Sequence, residues 1–298
     1  MRSLLKQQLM IVLLGSLPFL TWVAAPPSWA AEERPGQMIP MNTMYGTTFY
    51  SYVVGPEDAK QSLVLVHDRW GLDKFALDTA DSLGRLGFYV VMPDLFEGRS
   101  VQKRMEREGL RLLSQADPAA TVENLRGALM YINTSANRRA AVLGWGYGAG
   151  QALRITVAEP VLVISTVMIA GGPLITSEQK LREIRGPVLG IFSNDDPFVS
   201  TTQVDRFADA MNQNRNSVVM VRVEARTGFL EPDLPEYDPT TAQRSWQRAV
   251  DFLHETLGIF EEPVAPEEGI IDPAATEPEA SPAAEPLPID SLGAPPPT

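Results

Sequence analysis

The sequence predicts an α/β fold, in which a mostly parallel, doubly wound sheet carries helices on both faces. Apolar runs such as 63–67 and 188–193 are continuous rather than alternating, as in strands that are buried on both sides. Helical stretches separate these runs between about residues 45 and 262, which is the alternation of a doubly wound sheet. The 298 residues, 44% hydrophobic and 21% charged, suffice for one large domain.

The elements follow from the same patterns along the chain. Seven strands are predicted, at residues 49–54, 63–67, 89–93, 140–143, 163–170, 188–193 and 218–223. Seven helices are predicted, at residues 74–86, 105–114, 119–134, 149–158, 178–184, 203–212 and 240–257. The last helix has Trp246, Val250, Leu253 and Leu257 at the spacing of a single helix face. We find no internal repeat and no second core, so residues 45–262 are expected to form one domain.

The two ends of the chain differ from this middle part. Residues 1–30 combine Arg2 and Lys6, an apolar run and small residues at 28 and 30, which is the pattern of a cleaved secretory signal. An uncleaved membrane anchor is the alternative. Residues 31–44 are expected to be a linker. Residues 263–298 are rich in Pro, Ala and Glu without Lys or Arg, which predicts a disordered acidic tail.

Charge and composition exclude several functions. The net charge of −12 repels phosphate backbones, so nucleic acid and anionic membrane surfaces are not expected partners. The chain has no Cys, which excludes disulfides, thiolate metal sites and a Cys nucleophile. Its two His residues, His67 and His254, leave little scope for His-based metal binding or base catalysis. We expect no cofactor, no metal and no membrane span after signal cleavage.

In doubly wound sheets function collects at the carboxyl ends of the strands. The segment 144–150, GWGYGAG, follows an apolar strand and precedes a helix. A strand, a tight glycine turn and a helix are how α/β hydrolases present a nucleophile in Gly-x-nucleophile-x-Gly. Here Gly146 occupies the nucleophile's position, and the register shifted by two residues offers only Gly148.

Five segments in order resemble the dienelactone hydrolase family, over roughly residues 45–258. They are HDRWGL at 67–72, GFYVVMPDLFEG at 87–98, GWGYGAG at 144–150, GIFSNDDPFVS at 190–200 and EARTGFL at 224–230. The resemblance implies the α/β-hydrolase fold and an ester or lactone hydrolase ancestry. It also places the acid of the catalytic triad at Asp196, the nucleophile at Gly146 and the histidine at Thr227.

Two of the triad positions are therefore vacant in this sequence. Glycine has no side chain with which to attack a carbonyl, and a threonine hydroxyl does not accept a proton near neutral pH. Neither His67 nor His254 matches the family's base. The elbow conformation is strained for a residue with a β-carbon and much less so for glycine, so Gly146 relaxes the turn while keeping its shape.

The resemblance also indicates other site residues. Asp68 stands where the family has Glu in the loop after an early strand. Arg69 and Tyr147 supply the backbone N–H groups expected to form an oxyanion hole. Arg99, after PDLFEG, is expected to hold a substrate carboxylate. Together these four residues are the expected ligand-binding set, although a solvated Arg99 and a loop-capping Asp68 are the alternatives.

Three functions are compatible with the sequence. The first is an exported, periplasmic or secreted pseudoenzyme that binds a small ligand, with or without a carboxylate, or a protein partner. The second is an ester or lactone hydrolase with a non-standard mechanism, using water activated by Asp196 or Asp68, or a displaced Ser193 or Ser200. The third is an interaction module for a cell-envelope protein, with the acidic tail as its arm.

Overall fold

A computed structural model describes residues 34–103, 105–136 and 139–258. They form an eight-stranded sheet with the order β1-β2-β4-β3-β5-β6-β7-β8. Strands β1 and β2 pair antiparallel, as do β2 and β4, and every other pair is parallel. This is the α/β-hydrolase-like architecture that the sequence predicts.

The elements alternate along the chain as expected. The strands are β1 Gln37–Asn42, β2 Thr48–Val54, β3 Ser62–Val66, β4 Tyr89–Pro93, β5 Ala140–Trp145, β6 Val163–Ile169, β7 Val188–Asp195 and β8 Val218–Arg226. The helices are α1 Lys74–Arg85, α2 Glu106–Gln115, α3 Pro118–Ala136, α4 Tyr147–Ala158, α5 Glu178–Leu181, α6 Thr201–Gln213 and α7 Pro239–Leu257.

Core packing on both faces explains the continuous apolar strands. In β3, Leu63 and Leu65 point to the side of α1 and α7, whereas Val64 and Val66 point to the side of α3 and α4. All four side chains are fully buried. A strand covered on both faces favours apolar residues at consecutive positions, and this is the pattern that residues 63–66 show in the sequence.

One domain boundary needs correction. The segment 31–44, expected to be a linker, contributes strand β1, and the sheet has eight strands rather than seven. The strand pairs antiparallel with β2, and Pro40 lies opposite Tyr50. A proline is tolerated here because β1 is an edge strand, whose outward positions need no partner for an N–H group.

The chain ends are outside this description. The predicted signal peptide, 1–30, and the predicted tail, 263–298, lie outside the described residues. Within the described part, no helix is both long and apolar enough to span a bilayer.

The topology gathers the predicted site at one edge of the sheet. Strands β3, β5, β6 and β7 are parallel neighbours, so their carboxyl ends lie side by side. Asp68 follows β3, Gly146 follows β5 and Asp196 follows β7. Thr227 follows β8, and its N–H donates to the carbonyl of Asp195 at 3.1 Å.

Candidate functional site

The turn between β5 and α4 keeps the shape of a nucleophile elbow. Gly146 has φ 56° and ψ −124°, a conformation that residues with a β-carbon rarely adopt. Helix α4 starts at the next residue, Tyr147, and lies close to the sheet. A Cβ atom at Gly148 would lie 2.1 Å from the carbonyl oxygen of Val66, so only glycine permits this approach.

The carboxylate of Asp68 fills the space that a nucleophile side chain would occupy. A Cβ atom built on Gly146 would lie 2.2 Å from Cγ of Asp68 and 2.3 Å from its Oδ1. The backbone N–H of Tyr147 donates to Oδ1 of Asp68 at 2.6 Å. This N–H is one of the two expected oxyanion-hole donors, and it is already taken by a carboxylate of the same chain.

Arg69 holds Asp68 in this place through its side chain. Its guanidinium lies 3.0 Å from Oδ2 of Asp68 and 3.2 Å from Glu106 at the start of α2. It also lies over the ring of Trp70, 4.4 Å from the centroid, and 5.6 Å from the centroid of Phe198. Burial works against the charge, but Asp68 and Glu106 raise the pKa of Arg69 above its ordinary value. Both terminal nitrogens of the guanidinium thus have carboxylate partners within the protein, whereas its buried Nε has no hydrogen-bond partner.

The three positions at which the resemblance places the catalytic triad line one cavity. Gly146, Asp196 and Thr227 all border a space of about 380 Å³ at the carboxyl edge of the sheet. Asp68, Arg69 and Tyr147 border it as well. The structure therefore brings together six of the seven predicted site residues.

The carboxylate of Asp196 accepts hydrogen bonds from the backbone of its own loop. Its Oδ1 accepts the N–H groups of Phe198, at 2.7 Å, and Val199, at 3.1 Å. These bonds shape the turn that leads into α6. The surviving acid thus has a structural role that does not need a histidine.

Neither histidine replaces the missing base. His67 is fully buried, and its Nε2 accepts the N–H of Leu95 at 3.2 Å. Its Nδ1 lies 2.8 Å from the carbonyl oxygen of Asp68 and therefore carries the proton. Burial lowers the pKa of His67. His254 stacks on Phe88 at 5.5 Å, at the end of α7.

Arg99 does not reach the cavity, contrary to the sequence-based expectation. Its Nε donates to the carbonyl of Phe96 at 2.9 Å and its Nη1 to Gln115 at 3.0 Å. The residue is exposed and lies outside the cavity lining. Its loop turns the side chain toward the end of α2, so it cannot hold a ligand at the elbow.

Two residues that the sequence analysis missed line the cavity on α4. Gln151 and Arg154 lie one and two turns beyond Tyr147 and border the same space. Their spacing of four and seven residues places all three side chains on one helix face. This periodicity is the signal that points to them.

A buried charged cluster behind Asp68 was also missed. Lys103 is 7% exposed, and its Nζ lies 2.8 Å from Glu231 and 3.3 Å from Asp73. Burial, with the negative charge of Asp68, raises the pKa of Glu231 to about 8 even though Lys103 opposes this. Burial likewise raises the pKa of Asp73. Nothing in the local sequence marks these residues as neighbours.

Glu231 and Asp68 share a second, small cavity. It measures about 20 Å³, enough for one water molecule, and Gly146 and Thr227 also line it. The small space is therefore bordered by both positions at which the resemblance places the nucleophile and the histidine. No group of three or more His, Asp or Glu residues in the described part of the chain is arranged to hold a metal ion.

The fold and this elbow define an α/β-hydrolase-like protein. The sequence model of the dienelactone hydrolase family matches residues 49–257. The chain belongs to this family. A provisionally named carboxymethylenebutenolidase from Saccharolobus solfataricus is 18% identical over 248 residues, which cover 70% of this chain and 94% of that protein.

Solved structures share the fold. A provisionally named dienelactone hydrolase from Klebsiella pneumoniae subsp. pneumoniae has a TM-score of 0.61 at 16% identity, over 74% of this chain and 99% of that one. A dienelactone hydrolase-like promiscuous phosphotriesterase from metagenomic libraries has a TM-score of 0.63 at 18% identity, over the same 74% and 99%. At these identities the likeness concerns the fold alone.

Proposed function

We propose that this protein is a non-hydrolytic member of the family. It binds a small ligand in the cavity of about 380 Å³ beside Gly146, which we call the elbow cavity. The observation that carries the proposal is the position of Asp68. Its carboxylate accepts a hydrogen bond from the N–H of Tyr147 at 2.6 Å and occupies the volume next to Gly146. A substrate carbonyl oxygen needs that N–H, and an attacking side chain needs that volume.

Electrostatics argue in the same direction. An oxyanion hole works because its donors face the charge that develops in the transition state. Here a carboxylate, itself paired with Arg69, already lies against the donor. A second negative oxygen at the same N–H would be repelled rather than stabilised. The absence of the nucleophile and of the base thus comes with one of the two expected oxyanion-hole donors already bonded to Asp68.

Hydrolysis assays test this proposal directly. We expect both the purified protein and its Asp196→Ala variant to turn over p-nitrophenyl acetate and a dienelactone no faster than the reaction without protein, because no described group supplies the ordinary mechanism. Turnover by the parent protein clearly above that background contradicts the proposal.

A reversion series tests the role of Asp68. We expect Gly146→Cys with Thr227→His to stay near background, because the new Cβ collides with the Asp68 carboxylate. Adding Asp68→Ala frees both the volume and the Tyr147 N–H. The triple variant is therefore expected to gain esterase activity of at least about tenfold over the double variant. A stable triple variant without any gain would contradict the placement of the elbow.

A second candidate is hydrolysis by a directly activated water. The small cavity between Asp68, Glu231 and Thr227 favours it, since a carboxyl with a pKa of about 8 is protonated at neutral pH beside a second carboxylate. In this mechanism Asp68 accepts a proton from the water and Glu231 donates one to the leaving group. Glu231→Gln and Asp68→Asn would then each abolish turnover, whereas under the first proposal there is no turnover to abolish.

Export is proposed as well. The pattern of residues 1–30 supports cleavage before Ala31 and a periplasmic or secreted location. Mass spectrometry of the protein expressed in full length should find an N-terminus at Ala31 outside the cytoplasm. A full-length protein retained inside the cell would contradict export.

A further inference from the structure

We infer that the α4 wall of the cavity, formed by Tyr147, Gln151 and Arg154, binds a small apolar carboxylate that also carries a hydroxyl group. The inference rests on the ligand-binding part of the proposed function and names its ligand class. It depends on two polar groups that the described protein leaves without partners.

The first group is the guanidinium of Arg154. The residue is half-buried and lines the cavity. No hydrogen bond or ion pair joins it to another residue within the described chain, although Arg69, across the same cavity, has two carboxylate partners. A half-buried arginine without a counter-ion is suited to bind an anion, and its planar fork matches a carboxylate with two parallel hydrogen bonds.

The second group is the side-chain amide of Gln151. The residue is only 2% exposed, and its Oε1 has no hydrogen-bond partner. A buried acceptor without a donor is uncommon in native structures, because it has lost its water without replacement. Gln151 also lines the cavity, and its buried Oε1 accepts a hydrogen bond from a ligand hydroxyl once the side-chain amide turns toward that space.

The neighbouring side chains define the rest of the ligand. Opposite α4, apolar residues of α2, the following turn and the β7–α6 loop line the space: Leu110, Leu113, Ala116, Pro118, Phe198 and Val199. The carboxylates of Asp68 and Asp196 border the elbow side. They repel a second negative charge, so a monoanion binds with its carboxylate toward Arg154. A volume of about 380 Å³ accommodates a ligand the size of an aromatic acid.

Helix α4 holds the two polar groups at a fixed separation. Gln151 and Arg154 are three residues apart on one helix face, and the ring of Tyr147 stacks on Phe96 at 6.2 Å one turn earlier. Burial raises the pKa of the Tyr147 hydroxyl, whereas a hydrogen bond with Thr121 and the charge of Arg154 lower it. The charge of Arg154 is therefore near enough to act on the Tyr147 hydroxyl.

Calorimetric titration of the full-length protein tests the inference with three matched probes. The probes are 4-hydroxyphenylacetate, phenylacetate, which lacks the hydroxyl, and 4-hydroxyphenylacetamide, which lacks the charge. We expect 4-hydroxyphenylacetate to bind about tenfold or more tightly than the amide and several-fold more tightly than phenylacetate. Equal affinity for the acid and the amide, or no binding of any probe, overturns the inference.

Variants assign the effect to the two residues. Arg154→Gln is expected to weaken binding of the acid about tenfold and to leave the amide unchanged, and Arg154→Lys to recover part of the loss. Gln151→Leu is expected to remove the advantage of 4-hydroxyphenylacetate over phenylacetate. Arg99→Gln, an exposed arginine outside the cavity, is the control and should change nothing. Thermal unfolding verifies that each variant is folded.

The outcome separates this inference from the proposal on which it rests. If Arg154→Gln leaves the affinity for the acid unchanged, the ligand class is wrong, while the absence of hydrolysis still stands. If the protein hydrolyses esters, the non-hydrolytic proposal fails, and the same probes still decide whether Arg154 selects carboxylates.

Discussion

The two polar walls of the cavity differ in how their groups are satisfied. At the elbow, Asp68 has the Tyr147 N–H and Arg69 as partners, and Arg69 has Glu106 as well. On α4, the guanidinium of Arg154 and the Oε1 of Gln151 have no partner within the described chain. The wall where a reaction would occur is closed by the protein itself, whereas the wall beside it remains available to a ligand.

This difference indicates what the cavity retains. Catalysis requires groups that are free until the transition state forms, because only interactions gained there accelerate a reaction. At the elbow, the Tyr147 N–H next to Gly146 is already bonded to the carboxylate of Asp68. Binding requires only protein groups that complement the ligand and exchange their water for it. On α4, Gln151 and Arg154 are such groups. A family member that has lost its chemistry can therefore keep a selective pocket.

The largest expected effect is on the free energy of unfolding, and it differs between two cations, Lys103 and Arg154. Lys103→Met removes the counter-charge of buried Glu231 and Asp73, so we expect a loss of about 3–5 kcal/mol in the free energy of unfolding at pH 8.5. Arg154→Gln is expected to change the same quantity by less than about 0.5 kcal/mol, because Arg154 has no partner to lose.

Chemical denaturation of both variants measures this contrast. The loss in Lys103→Met should shrink at pH 5, where Glu231 is protonated and needs no counter-charge. A Lys103→Met variant as stable as the parent at pH 8.5 would contradict the buried cluster.

The second prediction concerns Gly146 and Asp68. In Gly146→Ala, the new Cβ is strained by the positive φ and also pushes the Asp68 carboxylate away. We therefore expect the free energy of unfolding to fall by about 2–5 kcal/mol. Gly46→Ala is the matched control, since Gly46 has φ 79° and open space around it, and should cost only about 1 kcal/mol. In an Asp68→Ala background, the penalty at 146 should fall by about 1–2 kcal/mol. Additive losses in this double-mutant cycle would contradict the contact.

The third prediction is the pH dependence caused by Glu231. Its pKa is raised from 4.5 to about 8, so between these values the folded state holds a proton that the unfolded state has released. Stability therefore falls as the pH rises through this window, by up to about 1.4 kcal/mol per pH unit from this group. Asp68, Asp73 and Lys103 face the same carboxyl and modulate the slope.

Glu231→Gln removes this contribution and should flatten the stability curve between pH 5 and 8. Glu255→Gln, on the exposed side of α7, is the control and should keep the slope of the parent. An unchanged slope in Glu231→Gln would mean that Glu231 titrates like an exposed carboxyl.

Much of this architecture follows from local sequence. Continuous apolar runs identify the buried strands because a strand covered on both faces favours apolar residues at most positions. The glycines of the segment 144–150 identify the elbow, and the ordered motifs place Asp196 and Thr227 in the same cavity. Strand β1 was missed because Pro40 and the polar ends of its segment resemble a linker, and only its pairing with β2 defines it.

The site details that were wrong or missed depend on tertiary packing. The direction of Arg99 is set by the carbonyl of Phe96, three residues earlier, and by Gln115 on the next helix, which its own sequence segment does not specify. Lys103 and Glu231 are more than a hundred positions apart and meet only in the fold. Arg154 was detectable in principle, because it lies on the helix face of Tyr147, but a helical period alone does not reveal a cavity.

The contact between Gly146 and Asp68 also restricts the mutational history that is open to this chain. Any side chain regained at position 146 meets the carboxylate before it meets a substrate. Removing Asp68 first leaves the Tyr147 N–H without its partner and Arg69 with Glu106 alone. Under the proposed function, a change at position 146 therefore does not restore hydrolysis unless position 68 changes with it.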